Sequence, residues 1–229
     1  MINENLSPLF LSLKIAGLSI IFVFITGVFL ARFLSRREFF GKNVIEALFL
    51  LPLVLPPTVV GFGLLLIFGK NGFIGQWLLK YDIQLIFDWK GAVIASIIVS
   101  FPLMYQSASG AFKTIDERLE NAALTMGASK WRVFLTVTLP LVWPGLLSGL
   151  VLAFARALGE FGATLMLAGY IPGRTDTIPL VIYFAVENGE MEKAYFWVAI
   201  IVALGFSTIM WLNWWTKHNV RRFEYEEKK

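Results

Sequence analysis

Apolar residues fall into five long blocks, over 10–31, 44–68, 91–112, 141–168 and 194–216, separated by shorter polar segments. Each block reaches the roughly 20 residues that a helix needs to cross a hydrocarbon core. The pattern predicts an all-α integral membrane protein with about five transmembrane helices. The first block carries only Lys14 and the second only Glu46, both near their starts. The third and fifth carry no charge, and the fourth carries Arg156 and Glu160. Trp211, Trp214 and Trp215 crowd the end of the fifth, as an interfacial aromatic belt does. Charges and glycines interrupt 70–90 too often for a sixth span, and Phe73 to Leu79 reads as a short interfacial helix. Residues 179–186 are apolar but too short to span. They are expected to line the outer mouth or lie on the membrane.

One segment between the third and fourth blocks, 114–140, is polar enough for water. Thr114 with Glu117 three residues on predicts a capping-box start. Ile115, Leu119, Ala122 and Met126 then recur at helical spacing, giving an amphipathic helix of about three turns. Gly127 is its predicted stop, because glycine takes the left-handed conformation without steric cost. Ser129 is placed to cap a second helix, and Pro140 marks the approach to the membrane. Ala122 and Ala123 put small side chains where a packed helix carries larger ones. They let another surface approach the backbone, so the helix reads as a docking knob; the plainer reading is a surface helix joining two spans.

The composition changes the picture little. The chain has 229 residues, 57% of them hydrophobic, and a mean hydropathy of +0.70. That exceeds the apolar share of soluble domains and suits one membrane domain, 1–229. There is no cysteine, which excludes disulfides and thiolate-held metals. The single His218 sits in a basic tail and reads as a solvated side chain. The N-terminus lacks the basic region and small-residue site of a cleavable signal, so the first span is expected to direct insertion.

Net charge is +4, and its distribution is informative. Arg32, Arg36, Arg37 and Lys42 follow the first block. Lys113, Arg118, Lys130 and Arg132 lie in the polar segment. Lys217, Arg221, Arg222, Lys228 and Lys229 end the chain. With five spans these groups share one side and hold most of the 20 lysines and arginines. The positive-inside rule puts the polar helix and the C-terminus in the cytoplasm and the N-terminus outside. Glu224, Glu226 and Glu227 interleave with the tail's basic residues, which reads as a solvated end. There is no nucleotide-binding glycine loop, HExxH or metal-ligand cluster, so the chain offers no ATPase site and no metal site of its own.

Ala122-Ala123, then Gly127, then Val137-x-Leu139-Pro140 resembles the EAA motif of ABC-importer permeases. In that family the motif forms a cytoplasmic coupling helix, here 113–135, seated in a groove of the ATPase subunit. The resemblance implies Glu120, Asn121, Ala122, Ala123 and Gly127 as the ATPase-coupling residues. The family's glutamate falls on Asn121, with Glu120 one place earlier, which leaves open which side chain makes the usual polar contact. The run Pro56-Pro57-Thr58 to Gly61 is similar to a signature of the molybdate and sulfate permeases in the family. The stretch 155–183 is similar to the molybdate permeases. Together these imply a type I importer permease fold and a homodimer on an ATPase pair. They also imply an external binding protein, and an oxyanion, most like molybdate, moved by alternating access. No cofactor would be held by this chain, since the partner hydrolyses ATP, and no nucleic acid is involved. A sulfate or thiosulfate permease is the alternative within the family. A channel or secondary transporter would call for more intramembrane carboxylates or repeated broken helices.

The residues that bear on transport lie in the second and fourth blocks. Pro52, Pro56 and Pro57 remove backbone donors and kink the second span, followed by Thr58, Gly61 and Gly63. That span either lines a pathway or is a bent packing helix. Arg156 and Glu160 lie one turn apart and can pair. Intramembrane pairs usually face a bundle interior or wet cavity. Arg156 either biases the path toward an anion, with Glu160 fixing its rotamer, or the pair locks a helix near the outer boundary. Candidate pathway residues are therefore Thr58, Gly61, Arg156 and Glu160.

Overall fold

The computed structural model describes residues 6–226. Expectations placed on residues 1–5, on His218 and on the tail from Glu224 to Lys229 fall outside the described side chains. The helices are α1 (Ser7–Ser35), α2 (Lys42–Val54), α3 (Pro57–Phe68), α4 (Phe73–Leu79), α5 (Trp89–Lys113) and α6 (Glu117–Thr125). They continue with α7 (Lys130–Val133), a π-helical turn (Phe134–Thr138), α8 (Leu139–Leu158), α9 (Gly162–Ala168), α10 (Ile178–Glu187) and α11 (Met191–Glu226).

The centre of the bundle is α5, clasped between α1 and α8. Small residues set those two crossings, as helix packing in lipid requires. A Cβ on Gly27 of α1 would lie 2.9 Å from Met104, and Cβ atoms on Gly145 and Gly149 of α8 would lie 2.6 Å from Ala111 and Ser107. The buried core there joins Val23, Ala31 and Leu34 of α1 with Met104, Ala108 and Phe112 of α5 and Val142, Leu146 and Ala153 of α8. A second cluster packs Val60 and Leu64 of α3 and Ala163 and Leu167 of α9 onto Ala95 and Val99 of α5.

Among the described residues four helices are long and apolar enough to cross a membrane, or five if the bent α2–α3 pair is counted as one span. The five predicted blocks thus correspond to these elements, but two of them are interrupted. The block 44–68 is not one kinked helix: α2 and α3 turn by 117° between them. Leu55 and Pro56 are extended there, with ψ of 142° and 138°, because a residue before proline is pushed out of the helical region. Pro57 then starts α3, where its missing N–H costs nothing. Pro52, by contrast, stays inside α2.

The fourth block also ends early. Lys130–Leu158 runs as one helical stretch through the π-helical turn, so the helix that follows Ser129 continues directly into the fourth block. It stops at Leu158, and residues 159–161 separate it from α9. Residues 179–186 lie in α10, which buries Ile178, Leu180, Val181 and Ala185 against the bundle and leaves Tyr183 and Val186 exposed. Ile178 and Val181 pack on Trp197 of α11. The short helix α4 stands where Phe73 to Leu79 predicts it. Trp211 and Trp214 are exposed, as a belt demands.

Candidate functional site: a docking helix and a crossing of broken helices

The polar segment folds as an open-sided helix with defined ends. Its start is not the Thr114–Glu117 capping box. The Thr114 hydroxyl instead donates to the Ala111 carbonyl at 2.8 Å, at the end of α5. Asp116 caps α6, its carboxylate accepting from the Arg118 N–H at 2.9 Å. The helix therefore begins two residues later than a Thr114 start and is shorter than three turns. Glu117 and Glu120 in its first turn suit the positive end of the helix dipole.

At the other end Gly127 has φ +86°. Its N–H donates to the Leu124 carbonyl, and the Ala128 N–H donates to Ala123. These are the two bonds of a Schellman stop. The Ser129 hydroxyl then accepts from Arg132 N–H and caps α7.

The two faces of α6 differ in chemistry. Toward the bundle, the Glu120 carboxylate meets Arg32 at 3.2 Å and Arg36 at 2.9 Å, both from the C-terminal end of α1. It also accepts from the Thr138 hydroxyl at 2.6 Å. Glu117 pairs with Arg36 at 2.7 Å. Outward, no α6 residue is buried. Asn121 and Ala122 are exposed and Ala123 half-buried. Leu119, Leu124 and Met126 are exposed large apolar residues, Met126 at 88%, and Trp131 on α7 extends the surface. Glu120 is thus engaged within the chain, whereas Asn121 is exposed.

The candidate pathway residues gather where the two interrupted helices meet. A Cβ on Gly61 would lie 2.7 Å from the Ala163 Cα and 2.8 Å from the Met166 Cβ. A Cβ on Gly162 would lie 3.0 Å from Pro57 and 3.2 Å from the Thr58 nitrogen. The α3 and α9 backbones therefore touch, with Thr58 exposed beside the contact. Glu160 lies in the break just before α9, 2% exposed. It pairs with Arg156 at 2.7 Å, and its other oxygen accepts from the Ala163 N–H at 2.7 Å. One carboxylate thus closes the end of α8 and the start of α9. Each partner's charge suits the dipole end it faces, Arg156 in the last turn of α8 and Glu160 ahead of α9. Arg156 is only partly covered.

Gly61→Leu is expected to be incompatible with this crossing, because its neighbour is backbone and cannot yield. Overpacking of this kind costs about 1–3 kcal/mol, read as a lower melting temperature of the purified protein. Gly63→Ala is the control, since no atom lies within 4 Å of a Cβ there. Equal melting of both variants would rule out the close contact.

Beyond the C-terminal end of α9, Arg174 pairs at 2.9 Å with Asp88, the N-cap of α5. Burial pushes the Asp88 carboxyl up, but the Lys90 backbone N–H and the Arg174 guanidinium outweigh it and hold it below its usual range. Sequence reasoning missed Arg32, Arg36 and Thr138 as partners of Glu120. The arginines carried a signal only as topology charges, and nothing local ties them to a residue more than 80 positions away.

Comparison with known proteins adds the family. The family described as binding-protein-dependent transport system inner membrane component matches residues 23–225. The chain is 45% identical over 206 residues to the molybdenum transport system permease protein ModB of Escherichia coli K12, covering 89% of this chain and 90% of that one. It is 43% identical to the ModB of Haemophilus influenzae, covering 93% and 94%. A sulfate transport system permease protein, CysW of Synechocystis, is 37% identical over 86% of this chain and 71% of its own length. Among solved structures, a bacterial ABC transporter involved in alginate import superimposes with a TM-score of 0.74 at 17% identity, covering 93% of this chain and 79% of that one. At that identity the likeness speaks for the fold.

Proposed function

The chain belongs to the family of binding-protein-dependent transport inner membrane components, and from that premise we propose that it is the permease subunit of an ATP-driven molybdate importer. It is a multi-pass component of the inner membrane. Its N-terminus lies outside and its C-terminus and α6 in the cytoplasm. Two copies form the path, an ATPase pair sits beneath α6, and an external binding protein delivers the oxyanion. ATP binding draws the ATPases together, and the α6 helices move with them. Each α8 acts as a rod carrying that motion to the α3–α9 crossing, about 27 Å away at 1.5 Å per residue between Thr138 and Arg156. ATP thereby biases a two-state element that faces outward or inward. Thr58 and the partly open Arg156 offer a hydroxyl and a positive charge to a passing anion, while Glu160 holds Arg156 in place.

The observation that carries the reading is α6 itself, fixed on its inner side by ion pairs and bare on its outer side. Residues of that apolar character on a water-facing helix mark a surface made for a partner. The identity of the anion rests on relatives named for molybdenum at 43–45% against 37% for a sulfate permease. The test is to purify the tagged chain in mild detergent and identify what accompanies it. Recovery of an ABC-type ATPase supports the reading, and purification of the chain alone from cells that make the ATPase would refute it. Uptake of labelled molybdate that persists in excess sulfate separates the two oxyanion readings.

A further inference from the structure

We propose that Glu120 is a positioning residue that carries the stroke of α6 into the membrane, and that it does so without touching the ATPase; this rests on the docking reading above. Two other elements reach its side chain directly, and a third, α5, packs on one of the arginines. Arg32 and Arg36 reach it from the C-terminal end of α1, and Thr138 reaches it from the last position of the π-helical turn. The Arg32 guanidinium also lies 5.6 Å from the Phe112 ring of α5 and 5.7 Å from the Phe134 ring at the start of that turn. The Glu120 side chain is 13% exposed, so little of it is left for another protein. Thr138 is fully buried.

The consequence is mechanical. Breaking one partner out of a covered charge cluster leaves the other charges unpaired, which is strongly unfavourable. The helix α6 therefore cannot shift alone: it takes with it the ends of α1 and of the fourth span. The π-helical turn is the natural compliant point in that span. There the Leu139 N–H bonds back to the Phe134 carbonyl, five residues away. Such turns carry an extra residue in the helix and often mark functional sites. A hydroxyl at its end, bonded to the docking helix, ties the turn to the stroke. The segment thus has a division of labour: Asn121, Ala122 and Met126 face the partner, and Glu120 faces the bundle.

The test uses the whole complex, with ATPase and binding protein, reconstituted in proteoliposomes. The readout is labelled molybdate taken up per ATP hydrolysed. Glu120→Gln and Thr138→Val are expected to lower that ratio about tenfold, in the range of measured site-to-site couplings, while the ATPase still co-purifies. Thr138→Ser, which keeps the hydroxyl, is expected to stay near wild type. Simple misfolding would lower uptake and hydrolysis together and leave the ratio alone, so an unchanged ratio overturns the proposal. So does a Thr138→Ser ratio as low as that of Thr138→Val. Loss of the ATPase from the Glu120→Gln complex would make Glu120 a docking contact and overturn the proposal while sparing the docking reading. A wild-type chain that never holds the ATPase would sink both.

Discussion

Replacing Gly127 with valine is expected to cut coupled uptake by about tenfold or more while the protein still inserts and its spans still pack. The reason is backbone geometry, not space. No atom lies within 4 Å of a Cβ at this position, but φ is +86°. A left-handed conformation costs an L-residue roughly 1–2 kcal/mol, and a β-branched one suffers most. The chain relieves that strain by leaving the left-handed region, which breaks the bonds from Gly127 to Leu124 and from Ala128 to Ala123. The end of α6 then frays, and Ser129 no longer delivers α7 at the same angle. Met126 and Trp131, which bracket the turn, lose their fixed relation. Gly127→Asn is the informative companion, because asparagine tolerates this region better than other side chains. Uptake should follow the order glycine, asparagine, valine. A valine variant that transports as fast as wild type would show that the geometry of this turn does not matter.

The second large effect is expected at Glu160. Replacing it with alanine removes the partner of Arg156 and the acceptor of the Ala163 N–H at once. Removing one member of a buried pair costs about 3–5 kcal/mol. Arg156 is partly exposed, which places this case at the low end, about 3 kcal/mol. Glu160→Gln keeps an acceptor for Ala163 and should fall between alanine and wild type. Thermal unfolding of the purified protein reads the series, and a double-mutant cycle with Arg156→Met isolates the pair. The double variant should lose less than the two singles added together. Additive losses would mean that the 2.7 Å approach contributes nothing to stability.

Much of the architecture is legible in the order of residues alone. Runs of apolar residues long enough for a bilayer identify the spans, because hydrophobic length is a local property. Gly127 and Ser129 are legible for the same reason: the stop and the cap are each set by one residue and its immediate neighbours. The misreadings share a cause. Pro56-Pro57 says that a helix is disturbed, but whether it bends or breaks depends on what the two halves pack against, and α3 is held against α9 by the close contacts of Gly61 and Gly162. The apolar run 141–168 gives no local sign of a break, and only the bond from the Ala163 N–H to Glu160 shows how the chain starts a new helix there. At the start of α6 two candidate caps lie two residues apart. Asp116 wins because α5 runs on to Lys113 and takes Thr114 for its own end. The cluster around Glu120 is the least legible feature, since its charges come from α1 and its hydroxyl from the fourth span.

The central claim is that α6 faces the cytoplasm and is covered there by an ATPase. The chain contains no cysteine, so Ala122→Cys creates a single reporter on the exposed face of α6. A membrane-impermeant thiol reagent should label it in inside-out vesicles stripped of the ATPase, label it far less once the ATPase is restored, and not reach it in sealed right-side-out cells. Labelling from the outside, or labelling indifferent to the ATPase, would contradict the account.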